Sequence, residues 1–345
     1  MRQVAMLSDI EGQPASLRQA CAHQFGAGAS DIQAAATVLR KARRIIFTGM
    51  GSSFFAALPA VSHLAAHGAV AEAIETSELL HFGLGTVDAG TAVVLVSRSG
   101  ETVEALRVLP HLLERGAHVI AVTNVPGRGL AHESPHSIFL NSRPDKMVAV
   151  QSYSASLAVL LLLAEAVLER SFDSWRGSFE KTCGLLETAI SAAVAESEAW
   201  VEFLHQAAVV HLLGRGPSLA SALEGALLFN EAARTPSASM SSAQFRHGPV
   251  EIVDRALRAI VFASQPATQD VDLALASDLK AMGAGVRVCD APDVPAPFQP
   301  LVEIVPVQVA ACALALSKGL NPGDFRYATL VTATESGFQG PGASN

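Results

Sequence analysis

Two stretches of this chain repeat one another. Residues 47–58 read FTGMGSSFFAAL and residues 212–223 read LLGRGPSLASAL, sharing both glycines, one serine and the closing alanine-leucine pair at equal spacing. Each follows the first long apolar run of its half, RIIFTG and AVVHLLGRG, and each opens a segment of helical period. A match at the same place in two halves argues for duplication. It confines the chain to folds in which one strand–turn–helix unit is used twice.

The rest of the pattern narrows the class further. In the first half RIIFTG, TAVVLVS, HVIAVTN and SIFLN alternate with helical segments at 53–66, 101–115 and 154–169. In the second, AVVHLLGRG, RAIVFAS and GVRVCD alternate with helical segments at 218–233 and 270–282, and a closing helix falls within 305–318. Continuous β-branched runs separated by helices form parallel sheets buried on both faces. The expected fold is α/β, two tandem doubly wound parallel-sheet domains in α/β/α sandwiches. The expected division is an N-terminal helical segment 1–30, a first domain 31–170, a helical connector 171–206, a second domain 207–331 and a tail 332–345. In open α/β sheets ligands bind outside the carboxyl ends of the strands, where the glycine turns fall.

The stretch LVSRSGETVEAL, residues 95–106, places three hydroxyls, one arginine and one glycine between an apolar run and a helix. A strand that ends by opening a helix leaves backbone N–H groups unpaired at the positive end of the helix dipole. Ser97, Ser99 and Thr102 can add hydroxyl donors, and Gly100 admits a ligand close to the backbone. The same residues also suit a plain N-cap. A formal net charge of -8 leaves no general surface for nucleic acid, so an anion must be captured locally. No apolar stretch runs the ~18 to 20 residues of a bilayer span free of glycine, charge or turn signals. The start MRQVAMLSDIEGQP lacks the regions of a signal peptide, so Cys21, Cys183, Cys289 and Cys312 are expected to stay reduced in the cytoplasm. No cysteine or histidine spacing suits a metal.

The first glycine turn, TGMGSSF, has the G-x-G of a dinucleotide site, with Glu75 at a distance that suits a ribose. Phe54 stands where the third glycine would allow close packing, so no nicotinamide or other cofactor is expected. Gly51, Ser52 and Ser53 instead suit a hydroxyl-lined cup that shares one phosphate with the second turn.

These turns, with ALEGALLFNEAARTPSASMSSAQFRHGP at 222–249, EGQP near the start and TNVPGRGLAHES, resemble the sugar isomerase, or SIS, family over roughly residues 6–335. The likeness is to its synthase-type isomerase modules and to its stand-alone isomerase, deaminase and deglycase members, and it implies flavodoxin-like SIS domains. It implies Ser52, Ser53, Ser97, Ser99 and Thr102 as phosphate donors, and Glu231 and His247 as the catalytic acid-base pair of an aldose-ketose proton shift. Glu231 sits among the apolar and small residues GALLFNEAA, where burial would raise its pKa, and His247 follows sixteen residues later before Gly248 and Pro249. Glu224, two helical turns earlier, is the rival base. The resemblance also implies a homodimer in which the histidine serves the neighbouring subunit's site.

The departures from the family narrow the reaction. The synthase-type lysine three positions before the glutamate is Leu228 here, and the imine-forming lysine near the C-terminus falls on Leu330, or on Thr329 if the match slips by one. The chain begins at the isomerase half, without a cysteine nucleophile for glutaminase work, so an ammonia-fed synthase is not expected. What the remaining pair suits is deamination or deglycation of an aminated sugar 6-phosphate, simple isomerisation of a phospho- or sulfo-sugar, or a sensor that binds without turnover. Arg98 stands where the family commonly has glutamine; turned inward, its guanidinium would grip an anion bidentately, and turned outward it would be solvated.

Overall fold

The computed structural model describes residues 4–205, 207–327 and 331–335. α1 (Ala5–Phe25) and α2 (Ala29–Lys41) precede β1 (Arg44–Gly49). Then come α3 (Ser52–Phe55), α4 (Leu58–Ala66), β2 (Ala71–Ala73), α5 (Thr76–Glu78), β3 (Thr91–Val96), α6 (Val103–Glu114), β4 (His118–Thr123), α7 (Leu130–Glu133), β5 (His136–Phe139) and α8 (Gln151–Val167). α9 (Phe172–Ala195) and α10 (Ser197–Leu204) lead to β6 (Val209–Gly214), α11 (Ser218–Glu231), β7 (Ser237–Ser241), α12 (Ser242–Phe245), β8 (Leu257–Phe262), α13 (Gln269–Ala281), β9 (Gly285–Cys289), α14 (Gln299–Glu303) and α15 (Val305–Ser317).

The first five strands form one parallel sheet in the order β2-β1-β3-β4-β5, the flavodoxin-like order, and the other four form a second in the order β7-β6-β8-β9. In both, the first strand of the half lies between the second and the third. The apolar runs become the inner strands because a strand covered on both faces needs apolar side chains pointing both ways. On one face of the first sheet Ile46, Val93, Leu95, Val119 and Ala121 meet Ala105, Val108, Leu109 and Leu112 of α6. α2, α4 and α8 pack on one another as a second layer, and every residue of α8 is buried. In the second sheet Leu213, Ala259 and Val261 meet Leu275, Ala276 and Leu279 of α13.

Two compact units result, and both are discontinuous. One joins the described residues up to Pro14, Asp145–Val150 and Gly177–Asp324; the other joins Ala15–Pro144, Gln151–Arg176 and the described residues from Phe325. The division falls at Pro14 inside α1, where a missing N–H weakens the helical ladder. β2 and β7 are the strands that the apolar pattern does not announce. AEA and SASMS are short, half-buried edge strands paired on one side.

The repeated turn is the same structure twice. Gly51 and Gly216 lie at φ 50 and φ 52, a region that side chains rarely enter. The preceding glycines allow the strand end to touch the helix that follows: a Cβ on Gly214 would stand 2.4 Å from the Ser218 carbonyl oxygen and 2.8 Å from its carbon. Gly214→Ala should therefore lower stability by about 1–3 kcal/mol, the usual cost of overpacking against backbone that cannot yield. Urea unfolding measures it, and a midpoint within error of the parent would contradict the close approach.

Candidate functional site

At the first sheet's carboxyl edge, β1 and β3 are paired neighbours with Gly49 opposite Val96, so both loops leave from the same place. A Cβ on Gly49 would meet Phe54 N, Ser53 C and Val96 O at 3.0 Å each, which holds the first turn tight against the second strand. Gly51 caps α3, and Ser52 and Ser53, half-buried, are its first two residues. In the second turn Ser97 is buried, and its Oγ lies 2.9 Å from Thr102 Oγ1 and accepts from Gly100 N at 3.2 Å. Ser99 Oγ accepts from Glu101 N at 3.1 Å, and Thr102 is the N-cap of α6. The five hydroxyls thus stand on two turns of one edge.

The second turn is braced from outside. The Arg98 carbonyl accepts from Asn124 N at 3.0 Å and from Thr123 Oγ1 at 3.2 Å, while the Arg98 residue is half-buried. Leu130 N donates to Gly100 O at 3.0 Å, and Gly129 comes so near that a Cβ on it would stand 2.3 Å from that oxygen. The motif TNVPGRGLAHES is therefore the buttress of the hydroxyl turn. Sequence reasoning missed a further contributor: Val103 N, the first N–H of α6, donates to Thr332 O at 3.0 Å. Arg107 pairs with Glu335, which also lies 3.5 Å from His81, and so the described C-terminal residues run to the rim of the turn. Tail residues carry no pattern that announces such a contact. Glu75 is used locally, accepting from Glu78 N at 3.1 Å as the cap of α5.

At the second sheet's edge, α11 carries Glu224, fully buried, Leu228, 1 % exposed, and Glu231, half-buried at its last position. Glu231 is therefore less enclosed than its apolar sequence neighbours imply, because the helix ends there. The turn after α11 is held by Lys318, whose Nζ donates to Thr235 Oγ1 at 2.7 Å and Ala233 O at 3.2 Å; desolvation lowers its pKa. His247 is exposed, two residues beyond the buried Phe245. Its N–H donates to Gln244 O at 3.0 Å, and Gly248 at φ 114 turns the chain away. The Phe245 ring stands edge-on to the buried His211, 5.5 Å away, and burial pushes the His211 pKa down. Leu330 and Thr329 lie outside the described residues.

Three further features bear on chemistry. Among the described residues no group of three or more His, Cys, Asp or Glu could hold a metal ion, and the four cysteines are buried thiols outside any disulfide. Burial lifts the Cys312 thiol to about 11. One helical stretch, Gln299–Ser317, is long and apolar enough to cross a membrane; 83 % of it is buried within the protein, and it contains Glu303. Glu303 is wholly buried, its oxygens receiving Ser221 Oγ at 2.7 Å and Ser218 Oγ at 3.1 Å. Desolvation raises its pKa despite those bonds.

A duplicated flavodoxin-like module with hydroxyl-bearing turns at a sheet's carboxyl edge defines a class of tandem α/β proteins. Within that class, the chain belongs to the SIS domain family, whose pattern matches residues 38–166 and 203–297. It is 26% identical over 336 residues to glutamine–fructose-6-phosphate aminotransferase (isomerizing) of Pyrobaculum aerophilum, covering 92% of this chain and 55% of that protein. The chain thus spans about half the length of the curated relatives it matches. The C-terminal domain of glucosamine-fructose-6-phosphate aminotransferase from Francisella tularensis superposes with a TM-score of 0.82 at 20% identity, over 93% of this chain and 98% of that one. Glucosamine-6-phosphate deaminase of Thermotoga maritima superposes with a TM-score of 0.77 at 22% identity, over 92% and 96%. At those identities the structural likeness is one of fold.

The buried carboxyl sets a pH dependence. Because the folded state holds the Glu303 proton more tightly than the unfolded chain, stability falls as pH rises above the unfolded value near 4.5. Glu303→Gln carries no such charge in either state. Its stability relative to the parent should therefore improve steadily between pH 4 and neutrality, read by urea midpoints across that range. A difference that stays flat with pH would show that Glu303 is not held protonated.

Proposed function

We propose that the chain is a cytoplasmic enzyme that processes a phosphorylated amino sugar or glycated amine, without cofactor, by a proton shift between C1 and C2. The observation that carries this reading is the pair of serine-bearing turns on paired strands β1 and β3, built for one phosphate, in a chain that retains a glutamate and a histidine on the second repeat. Ser52, Ser53, Ser97, Ser99 and Thr102 hold the phosphate. Arg98, half-buried in the same turn, adds a cation near it. Glu231 moves the proton, and His247 opens the ring by exchanging a proton with the ring oxygen.

For a 2-amino aldose phosphate, transfer of the C2 proton to C1 leaves an imine at C2; water adds, ammonia leaves and a ketose phosphate remains. For a C1 ketosamine phosphate, the reverse shift leaves an imine at C1, and water releases the amine and an aldose phosphate. Neither path needs an enzyme lysine, which agrees with the buried Leu228. Buried cysteines outside any disulfide suit a reducing compartment. A plain aldose-ketose isomerase would use the same two groups, and a sensor the same phosphate turn.

The deciding experiment is turnover of a panel: amino-sugar phosphates, ketosamine phosphates and plain hexose phosphates, with ammonia, amine and ketose each followed. Ser99→Ala combined with Thr102→Ala should weaken binding of the accepted compound by about 1–3 kcal/mol, the scale of hydrogen bonds to a charged group. Unchanged affinity would remove the phosphate assignment.

His247 stands exposed on its own subunit, which suits a group that serves a neighbour. We accordingly propose a symmetric homodimer with shared sites. Glu231→Gln and His247→Ala should each slow exchange of the substrate's C2 proton, the former by about two to four orders of magnitude. Mixed after subunit exchange, the two inactive variants should recover up to about a quarter of the parent's activity, since a two-fold axis leaves one intact site in each mixed dimer. No recovery despite exchange would refute sharing.

A further inference from the structure

Asp272 is a charged group at the second sheet's edge that the proposed reaction leaves unused. It is 1 % exposed, in the first turn of α13, yet its carboxylate is fully supplied with donors. Oδ1 receives Ser242 Oγ at 2.5 Å and stands 3.0 Å from Arg215 Nε in an ion pair, and Oδ2 receives Thr268 Oγ1 at 2.8 Å. Arg215 Nε also donates to Ser242 Oγ at 2.7 Å. The donors come from three separate turns, those that follow β6, β7 and β8. A carboxylate is expensive to bury unless such partners surround it, and once surrounded it ties them together.

Comparison with the first repeat shows what is distinctive here. Thr268 and Thr102 are both helix N-caps, so Asp272 corresponds to Leu106, and the glycine turns place Arg215 opposite Met50. Ser242, which follows the cap Ser241, corresponds to Thr76, which follows the cap Glu75; Thr76 makes only a neutral contact, 3.0 Å from Thr48 Oγ1. At the position of Asp272 the first edge carries Leu106 and so holds no carboxylate there. The second brings its anion with it.

That internal anion grips the segment that presents His247. Ser242 opens α12, Phe245 closes it in the core, and Arg246 reaches α13 through Asp278 at 3.6 Å and Val271 O at 3.4 Å. We infer that Asp272 is a positioning residue: an internal anion that locks the His247-bearing turn to the second sheet's edge whether or not substrate is bound. The inference rests on the acid-base role read for His247.

Two readouts separate the inference from that role. Hydrogen exchange of the full-length protein reports the lock directly. In Asp272→Asn and in Asp272→Gly, residues 242–248 should exchange at least about tenfold faster than in the parent while β8 keeps its protection. Formate, a carboxylate small enough for the vacated space, should restore slow exchange to Asp272→Gly and leave Asp272→Asn unchanged. Ser242→Ala, which cuts the same link from α12 and leaves the buried charge paired with Arg215, should loosen the same segment. Unchanged exchange of 242–248 in Ser242→Ala, or loss of protection spread equally over β6 and β8, would overturn the inference. In turnover, Asp272→Asn should lose about 10- to 100-fold in kcat with KM held, the scale of a misplaced catalytic group. If His247→Ala keeps full turnover, the role of His247 falls, while the exchange result still decides whether Asp272 holds the turn.

Discussion

The contact on which both halves depend is the touch between a strand's last glycine and the helix that follows it. At Gly49 three backbone atoms stand 3.0 Å from where a Cβ would be, and at Gly214 the Ser218 oxygen stands at 2.4 Å. Such an approach fixes where the helix starts and therefore where its free N–H groups point. The next glycine, Gly51 or Gly216, reverses the chain at positive φ and makes the approach possible. Neither half could present a loop so close to the neighbouring strand end with any other residue.

From one common frame the two halves have diverged in charge. The first keeps hydroxyls at its edge, and these bond to one another and to backbone N–H groups within the turns. Such groups can turn toward an incoming anion at little cost, since they exchange one hydrogen bond for a stronger one. The second edge is filled with groups already matched: Arg215 with Asp272 as an ion pair, and the buried Glu303 carboxyl with the hydroxyls of two serines. Matched charges in a dry setting resist rearrangement. One edge thus carries hydroxyls bonded within its own turns, and the other a set of side chains joined across three turns.

How much of this the sequence discloses depends on the range of the interaction. The inner strands were legible because burial on both faces writes an unbroken apolar run, as in TAVVLVS and RAIVFAS. β2 and β7 were not, because an edge strand is half-covered and AEA and SASMS carry no such run. The hydroxyl turn was legible since its donors lie within six residues, Ser97 to Thr102. Its buttress at Gly129 and its contact with Thr332 join residues far apart in the chain, and no local pattern encodes them. Whether the apolar neighbours of Glu231 enclose it is not written in the local sequence; α11 ends at that residue and leaves it half-covered. Nothing local marks Asp272, because Ser242 and Arg215, which meet it, lie on other turns of the sheet's edge.

Leu228 ties packing to chemistry. It lies between Glu224 and Glu231, one turn from each, on the helix where the resemblance to synthase-type members places a lysine, and it is 1 % exposed. A lysine at that depth would have to lose its charge or find a carboxylate, and either would redraw the protonation of both glutamates. With leucine there, the helix buries an apolar side chain, worth about 1.5–3 kcal/mol against exposure, and the turn between the two glutamates carries no cation of its own at that position.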